Sequence, residues 1–144
     1  MRFIMIVKAS QDSEAGKMPP EELLAAMGKY NEELLKAGVL VDLTGLRPSS
    51  EGKRVRFAGG KVSVIDGPFA ETKELIGGFW IINVKSLDEA VEWAKRAPAP
   101  HGPGVETELE IRPFFEVEDF SPCHEMAKEI GKKLEAQKAQ RSHN

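Results

Sequence analysis

The 144-residue sequence contains one cysteine, Cys123. A single thiol closes no internal disulfide, so the fold rests on packing rather than on covalent staples. Cys123 and His124 are adjacent, but no second cysteine or spaced ligand set accompanies them, and no metal or cofactor is expected. Basic residues are not in excess. Twenty Lys and Arg against 23 Asp and Glu leave a net charge of −3, which gives nucleic-acid binding no electrostatic footing. The apolar run at residues 3–7 is too short for a membrane span or a signal-peptide core. No membrane association and a cytoplasmic location are therefore expected. There is no Gly-x-Gly-x-x-Gly, no phosphate-binding loop and no nucleophile elbow, so dinucleotide, nucleotide and serine-hydrolase chemistry lack a motif.

What is present is an ordinary globular composition, 41% hydrophobic and 30% charged, in a chain of single-domain length. Residues 3–7 (Phe-Ile-Met-Ile-Val) and 79–84 (Phe-Trp-Ile-Ile-Asn-Val) are apolar toward both sides and read as strands buried on both faces. Pro20 opens a helix with Glu21 and Glu22 in its first turn, where negative charge suits the helix dipole. Leu23, Met27, Tyr30 and Leu34 form its buried stripe, and Gly38 ends it. Gly28 inside that helix suggests a close backbone approach. Residues 10–19 read as a loop.

Residues 39–43 read as a strand. Val55 and Phe57, then Val62 and Val64, alternate with polar residues around Gly59-Gly60, which predicts a hairpin. Ser86 and Glu89 form a capping box ahead of a helix with Leu87, Ala90, Val91 and Ala94 inward, and Pro98 stops it. Val105, Thr107, Leu109 and Ile111 alternate with charged residues and predict a half-buried strand.

The order is β-α-β, a hairpin insert, then β-α-β. The doubly apolar strands fall first and third, the two central positions of a ferredoxin-like βαββαβ antiparallel sheet. The fold expected is thus α+β, with residues 1–118 as the domain and 119–144 as a helical extension. That extension starts near Ser121-Pro122, carries Cys123, Met126, Ile130 and Leu134 on one stripe, and frays beyond Glu135. Both helices cover one sheet face. The other would expose apolar residues, so a homodimer through that face is expected; a cover supplied by the hairpin or the tail is the alternative.

Residues 66–74, Asp-Gly-Pro-Phe-Ala-Glu-Thr-Lys-Glu, resemble the signature of the DGPF, or YCII-related, family. Gly38-Val39-Leu40-Val41, Gly45-Leu46-Arg47-Pro48, Gly77-Gly78-Phe79, Glu89-Ala90-Val91-Glu92-Trp93-Ala94 and Glu110-Ile111-Arg112-Pro113 match in order, so the resemblance spans roughly residues 1–113. It implies a ferredoxin-like domain that pairs as a dimeric α/β barrel, near bacterial isomerases, monooxygenases and a dechlorinating hydrolase. It also implies frequent company with genes for alternative sigma factors. Members with a proposed active site use a His–Asp dyad with its histidine on or near the first helix. Here no histidine precedes His101, and that helix carries Met27 and Tyr30 instead.

The function expected is binding of a small organic acid or aromatic molecule in a dimeric-barrel pocket, with a non-catalytic sensor or adaptor linked to sigma-factor regulation as the alternative. Asp66, at a strand end, is the candidate general acid or base; an Asx-turn before Gly67-Pro68 is its structural reading. Glu71 and Lys73 either line a pocket mouth or sit on a solvated turn. Phe69 and Trp80 either wall a pocket or pack the core. Arg47 and Arg112 either grip an anion or pair with a glutamate such as Glu110. His101, between Pro100 and Gly102-Pro103, is either a titrating pocket residue or a surface-loop histidine.

Overall fold

The computed structural model describes residues 1–119 and 125–143. The helix start expected at Ser121-Pro122, with Cys123 and His124 after it, lies outside the described residues. Two compact units divide the chain, Met1–Pro113 and Phe114–Asn144, so the first unit ends slightly before the boundary read from the sequence.

In the first unit, strand β1 (Arg2–Lys8) is followed by helices α1 (Gln11–Glu14) and α2 (Glu21–Lys36) and strand β2 (Leu40–Gly45). Strands β3 (Lys53–Ala58) and β4 (Lys61–Asp66) come next, then β5 (Ile76–Asn83), helix α3 (Leu87–Lys95) and β6 (Leu109–Pro113). The main sheet has the order β2-β5-β1-β6, antiparallel throughout. Setting the hairpin β3–β4 aside, this is the ferredoxin-like arrangement, with the two doubly apolar strands in the middle.

Register assigns the faces. Phe3 pairs Ile82 and Met5 pairs Trp80 across β1 and β5. Those four side chains turn toward Tyr30 and Leu34 of α2 and Ala90 of α3, and together they form the core. The Tyr30 hydroxyl donates to the Trp93 carbonyl at 2.7 Å, and the Trp80 indole N–H donates to Asn31 Oδ1 at 2.7 Å. Each buried aromatic thus has its polar atom satisfied, which burial demands. The two rings meet edge to face, 5.5 Å apart. Burial pushes the Tyr30 hydroxyl up from 10 to about 12; nearby Arg96 opposes the shift and Glu33 adds to it.

The opposite face carries Ile4 and Ile6 of β1 and Phe79 and Ile81 of β5, flanked by Asp42, Thr44, Glu110 and Arg112. Ile4, Phe79 and Ile81 are half-buried.

The hairpin forms a separate two-stranded sheet. Gly59 and Gly60 take positive φ of 57° and 74°, as a two-residue turn between antiparallel strands requires. Val55 pairs Val64 and Phe57 pairs Val62, so all four share one face. Arg54, Arg56 and Lys61 share the other.

Several local expectations differ. Ser10 caps α1 through a reciprocal bond with Ser13, so residues 11–14 are helical rather than loop. Ser86 accepts from the Glu89 amide, but the Glu89 carboxylate reaches the Lys85 amide, one residue earlier than a capping box places it. Gly28 has open space where a Cβ would stand, so no close approach explains it. The expected strand at residues 105–111 begins only at Leu109. β1 ends at Lys8 and pairs β6 only from Val7↔Leu109 onward, so most of residues 105–108 lies past the end of the strand it would pair with.

In the second unit, a 3-10 turn (Val117–Asp119) precedes helix α4 (Glu125–Arg141), which continues through the segment expected to fray. Ion pairs Lys133–Glu129 and Lys138–Glu135 line it at helical spacing. Met126, Ile130 and Leu134 form its stripe, and all three are exposed.

Candidate functional site

The signature segment builds a joint between the hairpin and the body. The Gly67 amide donates to the Gly52 carbonyl at 3.0 Å, and the Phe69 amide donates to Ser49 Oγ at 3.0 Å. Ser49 is itself fixed: its amide donates to Glu14 Oε1 at 3.0 Å and its hydroxyl donates to Glu14 Oε2. A Cβ on Gly67 would run into the Ser49 carbonyl. Only glycine permits that approach. Arg54 stacks its guanidinium 3.9 Å from the centre of the Phe69 ring, a cation–π contact.

Asp66 ends β4 at the foot of the hairpin and pairs with Lys53 across the register. Its side chain is 75% exposed, so within one chain it lies in no enclosed site. Arg47 clasps Glu51 through two contacts from Nε, at 2.9 and 3.0 Å, which raise its already high pKa. Trp80 lies in the core. Glu71 is exposed and precedes the 3-10 turn at Thr72–Glu74. Arg112 lies exposed on the helix-free face of the sheet. None of these borders a pocket described below.

Two candidates do converge. A pocket of about 300 Å³ opens at the C-terminal end of β1, and Lys73 and His101 both line it, with Lys8, Glu106, Thr107 and Glu108. The fold explains the meeting. The Ala9 amide donates to the Leu75 carbonyl at 2.8 Å, which holds the 3-10 turn carrying Lys73 against the end of β1. From the other side comes the loop after α3. It turns at Gly102, whose amide donates to the Ala99 carbonyl at 3.0 Å, and Gly102 and Gly104 take positive φ. His101 Nε2–H donates to the Lys8 carbonyl at 2.9 Å. In the neutral ring, that bond leaves Nδ1 as the acceptor.

The charges of the pocket are mixed. Lys8 pairs with Glu110 at 3.2 Å. Lys73, Glu106 and Glu108 have no ion-pair partner among the described residues. The arrangement therefore offers one unengaged ammonium, two unengaged carboxylates and an imidazole with a fixed N–H.

The model of the YCII-related domain matches residues 1–115, which takes in the whole ferredoxin-like sheet and both of its helices. The chain belongs to the YCII-related family. An uncharacterized protein of Rhizobium meliloti is similar, 35% identical over 86 residues, covering 60% of this chain and 69% of that protein. The YCII-related assignment agrees with the signature at residues 66–74, and the geometry gives that signature an architectural task.

Sequence reasoning missed Lys8, Ser10, Glu106, Thr107 and Glu108. The two glutamates and Thr107 were hidden by an alternation that reads as strand. Among the described residues, no group of three or more His, Cys, Asp or Glu is arranged to hold a metal ion. No helix among them is long and apolar enough to cross a membrane.

Proposed function

We propose that this YCII-related protein binds a small organic acid in the pocket around His101. The observation that carries the reading is the convergence of Lys73 and His101, from two different loops, on one pocket at the end of β1. Lys73 answers a carboxylate, and His101 Nδ1, an acceptor in the neutral ring, answers a hydroxyl or amine beside it. Glu106 and Glu108 disfavour a second carboxylate and favour a hydroxyl or amine on the same molecule. If the protein is an enzyme, His101 Nδ1 is the base, because Nε2 is already committed to the Lys8 carbonyl. Acid–base work by Asp66 would first need a second copy to cover the hairpin foot. A sensor would use the same pocket without turnover.

The binding species is a homodimer closed through the sheet face that carries Ile4, Phe79 and Ile81, consistent with those side chains being only half-buried by their own chain. Light scattering is expected to return twice the chain mass. NMR titration with glycolate, lactate and glycine is expected to shift Lys8, Lys73 and His101 resonances, with succinate weaker. Lys73→Ala and His101→Ala should each weaken binding about tenfold. Unchanged spectra at high ligand concentration, or shifts that ignore both substitutions, would overturn the reading.

A further inference from the structure

The polar pocket is not alone at this end of the sheet. A second pocket of about 370 Å³ adjoins it, and Ser10 and His101 line both. We infer that the ligand is amphipathic, with its polar head beside Lys73 and its apolar body lying past His101 in this second compartment. The inference rests on the binding reading above and deepens it by naming the ligand class.

The second compartment is walled by Met18, Pro19, Pro20, Leu23, Pro100 and Val105. Three of these are prolines, which offer no N–H and hold a fixed φ. The surface is therefore apolar and already ordered, so covering it costs little conformational entropy. Met18 adds a flexible side chain that adapts to shape. Most polar groups on its margin are already engaged, Gln11 excepted: Lys17 pairs with Asp12 at 3.7 Å, and Ser13 is spent on the reciprocal bond with Ser10. Beyond the neutral Gln11 amide, what this compartment has left to offer a ligand is apolar contact. The neighbouring compartment has unengaged charge. His101, tied to the Lys8 carbonyl, stands where the two meet.

The class implied is a 2-hydroxy or 2-amino monocarboxylic acid bearing an alkyl chain or one aromatic ring. The test is calorimetric titration of the full chain with straight-chain 2-hydroxy and 2-amino acids of rising length. Affinity is expected to rise about threefold to fourfold per added methylene until the compartment fills. Leu23→Ser and Val105→Ser should flatten that series and weaken the longest acid about tenfold, while Lys73→Ala lowers the whole series in parallel. Val105 is 51% exposed, so its variant carries the test if Leu23→Ser fails to fold. Binding of the longest acid that ignores Lys73→Ala would defeat the underlying reading. Binding that needs Lys73 but ignores both chain length and Val105→Ser would defeat this inference alone. A chain-length dependence that persists in Val105→Ser would place the tail elsewhere and overturn it too.

Discussion

Strands β1 and β5 and the hairpin β3–β4 are written in similar residues yet meet opposite fates. On the helix side of the main sheet, Phe3, Met5 and Ile82 are almost wholly removed from solvent, at 1%, 0% and 0% exposure. On the hairpin, Val55, Phe57, Val62 and Val64 sit on one face at 54%, 77%, 64% and 61%. An alternating pattern states which way side chains point. It does not state what stands opposite. A two-stranded ribbon is marginal alone in water, and four apolar residues on one face are a surface that favours a cover. The basic residues Arg54, Arg56 and Lys61 point the other way, so they do not obstruct one.

The largest contrast is expected between Phe3→Ala and Phe57→Ala. The first opens a cavity in the core and should cost about 3–5 kcal/mol in denaturant unfolding. The second should change the stability of the isolated fold by less than about 0.5 kcal/mol. If Phe57→Ala costs as much as Phe3→Ala, the hairpin is covered in solution and the contrast breaks. Gly67→Ala is expected next, at about 2 kcal/mol, because the new Cβ meets the fixed Ser49 carbonyl at the joint. Thermal unfolding would measure it, and a neutral result would mean the joint yields.

Tyr30 tests the covered side by pH. It is the only tyrosine, so absorbance near the tyrosinate band reports it alone. Its midpoint is expected near 12 rather than 10. Because the folded value is raised, the associated stability is complete below pH 10 and is lost as pH rises from 10 through 12. Tyr30→Phe should remove that alkaline loss while costing about 1 kcal/mol at neutral pH for the bond to the Trp93 carbonyl. Gly28→Ala carries the opposite sign and is expected to stabilise α2 by about 1 kcal/mol, since nothing stands near its missing Cβ.

Much of the scaffold was legible because its signals are local or periodic. The α2 stripe, the Gly59-Gly60 turn and the central placement of the two doubly apolar strands all follow from spacing. The pocket was legible only in part. Lys73 and His101 stood out as residue types, but their meeting depends on the Ala9–Leu75 bond and on the turn at Gly102, which no spacing encodes. Glu106 and Glu108 are hidden because alternation over residues 105–111 looks like strand, whereas β1 ends at Lys8 and leaves the first half without a partner. Trp80 was ambiguous for the opposite reason: an indole suits a ligand wall and a core alike, and only Asn31 and Tyr30 decide between them.

The buttress at Gly67 has an evolutionary corollary. Residues that hold the ribbon's foot against Ser49 do not border the cleft where Lys73 and His101 meet. Selection can therefore preserve the joint residues of the emblem by which relatives are recognised while freely rewriting the loop around His101. Two proteins sharing that emblem share a piece of carpentry and the lysine of one pocket wall, and the wall opposite is free to diverge.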